Sequence, residues 1–375
     1  MAANKPVGKK RNMNIELVRI ISMIMIISVH GMYKGNLLGS LSVTTPNNVI
    51  AWIMECIGVN GLNLFMLITG YLLAKSSFKT GRLLEIVAQV MFYSVGMWLV
   101  LMIFGKRYST YEVLRCLFPI HNNVYWFCTA YVILYLLSPV IVTGVRKMTQ
   151  GQLKLTIGGL LLFECVFKTV FPIRFLEDEM GYDVIWFLIM FLIAAYIRLY
   201  GLPFLEKPGR AYIIHLICVA LMFVEQLALT KINAATGRFE SLIGVSVEHN
   251  HIFLLVSSVA LFMAIINAPQ IQGVWAKIVG FFAPLSFGVY LFHEHGFVRY
   301  EWPMWIGLDK LSDKNAVIFV LGVLGTSVLV YLAGSIVDYI RKLLFDLVKK
   351  AFAGSKVTAF MKRIDCAVKE VSDEH

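Results

Sequence analysis

The chain has 375 residues, of which 58% are hydrophobic and 15% are charged, and its mean hydropathy is +0.74. The apolar residues form long runs along the whole sequence, more than a water-soluble core of this size could bury, which excludes a soluble globular protein. The formal net charge of +11 does not indicate nucleic-acid binding, because no basic and aromatic groove module accompanies it.

Ten segments are apolar enough to cross a bilayer, which takes about 20 helical residues. The first follows a basic stretch but has no small-x-small cleavage site, so we expect an uncleaved transmembrane helix rather than a signal peptide. The predicted fold class is all-α, a polytopic membrane helical bundle. In chain order the segments cover residues 14–33, 50–74, 83–104, 124–143, 153–172, 183–200, 211–230, 249–267, 275–293 and 315–340.

The distribution of lysine and arginine predicts the orientation. With the N-terminus in the cytoplasm, ten crossings place about twice as many lysines and arginines in cytoplasmic segments as in outer loops. We therefore expect both termini in the cytoplasm and a multi-pass protein of the bacterial cytoplasmic membrane. The domains predicted are a basic tail (1–13), an integral membrane domain (14–340) and a basic amphipathic tail (341–375) that lies on anionic lipid.

The first apolar segment carries two polar side chains, Arg19 and His30, that are eleven residues apart. Eleven residues turn an α-helix through about 1100° and advance it by roughly 16 Å, so the two side chains share one face at two depths. Either alone is compatible with a snorkelling cation or an interfacial histidine. Together they predict an internal cavity, because a polar stripe facing lipid is costly.

A long thin ligand would suit such a cavity, and acyl-CoA has that shape. Its phosphorylated nucleotide seeks lysine and arginine, and its flexible arm ends in a reactive thioester. A histidine at the far end can act as a general base towards an alcohol, or it can itself take the acyl group. Both routes remain open at the level of sequence.

Four stretches in order resemble the acyltransferase-3 family of integral membrane acyltransferases. They are the first-helix run "ELVRIISMIMIISVH", the second-helix run "GVNGLNLFMLITGYLLAKS", the Trp-Phe helix "VYWFCTAYVILYLLSPVI" and the late stretch "LSFGVYLFHEH". The resemblance covers most of residues 14–340 and implies ten helices. It also implies transfer of an acyl group, commonly acetyl from acetyl-CoA, to a hydroxyl of a cell-surface carbohydrate.

Carried over by position, the resemblance makes Arg19 and His30 the functional pair. The family's cytoplasmic Arg-x-x-Arg corresponds to "KTGR", so the expected donor-binding residues are Arg19, Lys79 and Arg82; the lysine departs from the pattern but can still hold phosphate as a point charge. Acceptor binding is assigned to Tyr125, Trp126 and His293, although the two aromatic residues also suit simple packing. The co-substrate predicted is acetyl-CoA, and the partners are the carbohydrate acceptor and membrane lipid.

No metal is expected. The two histidines of "HEH" would diverge on a helix, and Glu294 and His295 are expected at a solvated helix end. The six cysteines show no metal-ligand spacing and are interpreted as small apolar residues. Ionisable groups inside other predicted helices, among them His215 and Glu225, are interpreted as structural pairs about as readily as functional ones.

A different function class also fits the helix count and the polar stripe. A translocator could move a lipid-linked or polymeric sugar through such a bundle without making bonds. No inverted repeat with broken helices is evident, and a translocator needs no acyl-CoA site. The sequence therefore favours the acyltransferase and keeps the translocator as the alternative.

Overall fold

The computed structural model describes residues 11–170, 179–352 and 354–373, and these residues contain helices and no β-strand. The α-helices are α1 (Met13–Lys34), α2 (Pro46–Gly58), α3 (Asn60–Leu73), α4 (Thr80–Ile103), α5 (Thr110–Leu117), α6 (Trp126–Lys147), α7 (Gln150–Leu161), α8 (Phe167–Val170), α9 (Val184–Tyr200), α10 (Pro208–Thr236), α11 (Ile252–Ile266), α12 (Gly273–Phe282), α13 (Ser286–His293), α14 (Trp302–Ile306), α15 (Ala316–Ala351) and α16 (Lys356–Asp373).

Eight helical segments of the described residues are long and apolar enough to cross a membrane, which confirms a polytopic membrane bundle. They are Met13–Lys34, Pro46–Leu73, Thr80–Ile103, Trp126–Lys147, Pro208–Thr236, Glu240–Ile266, Gly273–His293 and Ala316–Ala351.

Two further predicted spans have helical counterparts. The predicted span 183–200 corresponds to the short apolar helix α9. The predicted span 153–172 corresponds to α7 and α8, which a π-helical turn joins, and its last two residues lie outside the described residues. The predicted tail 1–13 also lies largely outside them.

Two spans that the sequence predicts as single helices are interrupted. The second breaks between α2 and α3 at Val59, where the Asn60 side chain donates to the carbonyl oxygens of Cys56 and Ile57, each at 3.0 Å. The ninth breaks between α12 and α13, where Pro284 lies in a single 3₁₀ turn. In both places the hydrophobic pattern continues through the break, so periodicity alone could not reveal it.

Helix α1 lies inside the bundle, packed against α2, α3, α11, α13 and α15. A glycine allows its close approach to α3: a methyl group at Gly61 would lie 2.7 Å from the carbonyl oxygen of Ser22. Gly70 likewise allows α3 to approach α9 closely, because a methyl group at Gly70 would lie 2.8 Å from atoms of Phe191 and Ala194. Small residues of this kind are typical of contacts between membrane helices.

The last long helix continues past the domain boundary predicted at residue 340. Arg341 is buried and binds Asp338 through two hydrogen bonds of 2.8 and 2.9 Å, and Gln89 and Tyr93 of α4 donate to the same carboxylate. The C-terminal helix α16 packs against α4 and α6, and the Asp365 carboxylate accepts a 2.7 Å hydrogen bond from the backbone N–H of Thr80.

Candidate functional site

One stripe of α1 lines two cavities. Met23, Ile26, His30 and Tyr33 follow one another at helical spacing and line a cavity of about 510 Å³. Arg19 continues the stripe by one turn and lines a smaller cavity of about 100 Å³. Arg19 and His30 therefore lie on one face of α1, as the sequence predicts.

His30 is tied to α13 and the residue after it. Its Nδ1 lies 3.1 Å from Nε2 of His293 and 3.3 Å from Oε1 of Glu294. The second histidine nitrogen, Nδ1 of His293, lies 2.7 Å from the carbonyl oxygen of Val289. Two side chains distant in sequence from His30 thus contact its imidazole ring, and a backbone carbonyl orients one of them.

This network assigns the tautomer of His30. The Val289 carbonyl only accepts, so Nδ1 of His293 carries a hydrogen and Nε2 of the neutral ring is an acceptor. His30 must then donate from its own Nδ1 to His293, and also faces the Glu294 carboxylate from that atom. Nε2 of His30 is left with a lone pair, which is the state that a general base requires.

Glu294 also pairs with the Lys34 ammonium through the oxygen that faces His30. His30, His293 and Glu294 place their ligand atoms within 4.8 Å of one another, close enough to hold a metal ion. A divalent cation there would be repelled by the ammonium that already occupies the carboxylate. The arrangement favours a hydrogen-bonded base over a metal centre.

The expectation that Glu294 and His295 lie at a solvated helix end is wrong, since they are 6% and 1% exposed. Nε2 of His295 donates to the carbonyl oxygen of Ser94 at 3.2 Å, and its Nδ1 accepts from the N–H of Phe297. Burial lowers the pKa of His295 to about 4, with the neighbouring Arg299 acting in the same direction. This neutral histidine links the loop after α13 to α4.

Of the residues predicted to bind the acceptor, Trp126 lines the larger cavity and contacts Tyr182 at 4.8 Å between ring centroids. Tyr125 is 1% exposed and donates to the carbonyl oxygen of Leu291, which makes it a packing residue between α6 and α13. His293 is buried behind His30 and touches that ring instead of lining the cavity.

The smaller cavity brings together two of the three residues predicted to bind the donor. Arg19 and Arg82 both line it, beside Tyr131, and the Arg82 guanidinium stacks over the Tyr135 ring at 5.8 Å. Glu16 lies 3.5 Å from Nε of Arg19. Lys79 is exposed at the start of α4, at the same end of the bundle, and does not line this cavity.

The two cavities share the side chains of Phe65, Phe127 and Phe287 as lining. The first two rings contact each other edge to face at 5.8 Å. The two cavities therefore adjoin at three phenylalanine side chains, which would offer apolar contacts to a thin flexible chain that passes between them.

The larger cavity also contains polar residues that the sequence did not single out. Trp52 and Glu55 of α2, one turn apart, and His249 line it, and all three are buried. Glu248, beside the histidine, lines it as well and pairs with Lys168. A single glutamate or histidine in an apolar run has no periodic signal, so only the structure brings these residues to His30.

The sequence model of the acyltransferase-3 family, described as "Acyltransferase domain", matches residues 12–335 of the chain. This range includes the residues of both cavities and of the His30 network. The chain belongs to the acyltransferase-3 family. This acyltransferase is a multi-pass membrane protein, as its family and its apolar helices together indicate. Neither the curated proteins nor the solved structures contain a significant match to it.

Proposed function

We propose that this acyltransferase moves an acyl group, acetyl in the first place, from acyl-CoA to a hydroxyl of a cell-surface or exported carbohydrate. The observation that carries the proposal is the pair of adjoining cavities along α1, one with Arg19 and Arg82 and the other with a tautomerically fixed His30. Cations at one end and a base at the other match the two ends of acyl-CoA.

The donor enters from the arginine end, which is the cytoplasmic end if both termini face the cytoplasm. Its phosphates bind Arg19 and Arg82, with Lys79 at the rim, and its pantetheine arm passes between Phe65, Phe127 and Phe287 towards His30. Support for this route comes from Arg19, whose buried Nε makes no hydrogen bond among the described residues and lies 3.5 Å from a carboxylate oxygen of Glu16, too far for a strong hydrogen bond. An anionic ligand would satisfy a guanidinium left in that state.

The chemistry proceeds at Nε2 of His30. This nitrogen takes the proton of the acceptor hydroxyl while the oxygen attacks the thioester carbonyl, and the carbon–sulfur bond breaks to release the CoA thiolate, which receives that proton from His30. The positive charge that appears on the ring in between is stabilised by the Glu294 carboxylate. Alternatively Nε2 attacks the thioester carbonyl first, and the carbon–sulfur bond breaks to release the CoA thiolate and leave an acyl-imidazole. The acceptor oxygen then attacks the acyl carbon, the carbon–nitrogen bond breaks, and the hydroxyl proton passes through His30 to the thiolate.

The test compares wild type with His30→Ala by mass spectrometry of the surface glycan and by turnover of acetyl-CoA. General-base catalysis is worth roughly 10²–10⁴-fold, so we expect a loss of that size with normal membrane insertion. His215→Ala is the matched control, because that buried histidine hydrogen-bonds Ser257 and does not line the cavity. Near-normal turnover in His30→Ala would refute the role of His30 as the base. If wild type moves a glycan across the membrane without adding acyl mass to it, the protein is a translocator.

A further inference from the structure

Among the residues that line the larger cavity, three contribute buried polar atoms that have no hydrogen-bond partner in the described part of the chain. They are Nε1 of Trp52, Oε2 of Glu55 and Nδ1 of His249. Each belongs to a side chain that is at least nine-tenths buried, since these residues are 6%, 5% and 6% exposed. A buried polar atom without a partner is destabilising, so this cavity wall is suited to an occupant that forms hydrogen bonds.

The surrounding structure holds these groups in place. Trp52 and Glu55 lie at i and i+3 on α2 and therefore face the same way. The backbone carbonyl of His249 accepts from Nδ2 of Asn63, whose Oδ1 accepts in turn from the indole N–H of Trp186, each at 3.0 Å. These contacts orient His249 before any ligand arrives.

Gly181, in the loop before α9, makes room for His249. Gly181 has φ +82° and a methyl group on it would lie 2.8 Å from Cβ of His249. The neighbouring Tyr182 packs edge to face on the imidazole at 4.7 Å. Both the backbone conformation and the close approach favour glycine, so the loop packs directly against His249.

The three groups complement a neutral sugar hydroxyl. An indole N–H donates, a carboxylate oxygen accepts, and an imidazole does either, whereas a hydroxyl both donates and accepts. The same cavity presents the rings of Trp126 and Tyr182, onto which the apolar face of a sugar can stack. A buried carboxyl group with no cationic partner among the described residues suits a neutral occupant.

We infer that Trp52, Glu55 and His249 bind the acceptor, a neutral sugar, and hold its hydroxyl in the cavity that His30 lines; this inference rests on the proposed function. Glu55 accepts the hydrogen bond of a hydroxyl next to the one that reacts, and Trp52 donates to a ring or hydroxyl oxygen. His30 remains the base. The three residues position the acceptor and determine which sugar is accepted, and they do not contact the donor's phosphates.

The experiment uses the full-length protein in cells from which its gene has been deleted, so that the native acceptor is present. Glu55→Gln, His249→Gln and Trp52→Phe are compared with wild type for the acyl content of the surface glycan, measured by mass spectrometry. The same proteins, purified in detergent, are titrated with acetyl-CoA. Matched controls are Glu225→Gln, whose carboxylate faces His251 at 3.4 Å, and His215→Gln, since neither residue lines the cavity.

We expect each of the three cavity variants to lower glycan acylation about tenfold or more, the equivalent of one lost hydrogen bond to a charged or buried group. Their affinity for acetyl-CoA should stay within about twofold of wild type, and both controls should behave as wild type. Unchanged acylation in the cavity variants would overturn the inference and leave a water-filled cavity. Loss of acetyl-CoA binding would overturn it too, because the residues would then support the donor or the fold.

Failure of the proposed function gives a different pattern. If wild type neither adds acyl mass to the glycan nor binds acetyl-CoA, the acyl-transfer proposal falls, and the acceptor assignment falls with it. If wild type does both and the cavity variants acylate the glycan as well as wild type does, the acceptor assignment alone is wrong.

Discussion

At the scale of single residues, periodicity revealed the stripe of α1 but not the groups that give His30 its chemical state. Arg19 and His30 stand out because two polar side chains recur at helical spacing in an apolar run. Glu294 could not be assigned, because a residue beyond the end of a helix carries no pattern, and its burial depends on Lys34 and His30 reaching it from α1. Sequence spacing cannot show such contacts between helices.

Glu294→Gln tests whether this carboxylate supports the base. The amide keeps the shape of the side chain but loses the charge that stabilises a protonated His30, so we expect kcat for acyl transfer to fall about tenfold or more while the KM for acetyl-CoA changes little. Glu301→Gln is the control, since Glu301 is exposed in the next loop. A variant with wild-type kcat, or one with only a raised KM, would contradict the role of Glu294 in stabilising protonated His30.

At the scale of elements, hydrophobic runs predicted the long helices because each must span the bilayer, whatever its neighbours. They could not predict the interruptions at Val59 and Pro284, where a side-chain hydrogen bond and a proline ring act locally inside a continuous apolar run. The break at Val59 lies close to the site, since Trp52 and Glu55 of α2 line the larger cavity and α3 packs along α1.

The contact between α1 and α3 depends on Gly61, and Gly61→Ala tests it. The added methyl group would lie 2.7 Å from the Ser22 carbonyl oxygen, so α3 has to move, and overpacking of this kind typically costs about 1–3 kcal/mol. We expect a lower Tm in detergent and weaker acyl transfer. Gly96→Ala is the control: nothing lies within 4 Å of its added methyl group, and alanine is the better helix former. Equal effects of the two substitutions would contradict the close-packing account.

At the scale of the whole molecule, the bundle has an arginine end and a histidine end, and its function depends on which end meets the cytoplasm. The charge bias of the loops predicts a cytoplasmic arginine end, where acyl-CoA is made. The structure shows which residues share an end, and the loop charges predict the side of the membrane on which that end lies. The C-terminal helix α16 packs at the arginine end, through Asp365 and the start of α4, and therefore reports on it.

Cys366 on α16 provides a topology probe that needs no engineering. It is exposed, whereas the other five cysteines are buried. With both termini in the cytoplasm, a membrane-impermeant maleimide should label the protein in inverted vesicles and leave it unlabelled in intact cells. Cys366→Ser should abolish the labelling. If intact cells are labelled, and Cys366→Ser removes that labelling, the assigned orientation is reversed.

The most direct test of the central claim is calorimetric binding of acetyl-CoA to the purified protein, in wild type, Arg19→Ala and Arg210→Ala. The account predicts saturable binding to wild type, an affinity at least about tenfold lower in Arg19→Ala, and wild-type affinity in Arg210→Ala, whose exposed guanidinium bonds only the Phe204 carbonyl in the described structure. Absence of binding to folded wild type, or equal binding in Arg19→Ala, would contradict the donor site and with it the path from Arg19 to His30.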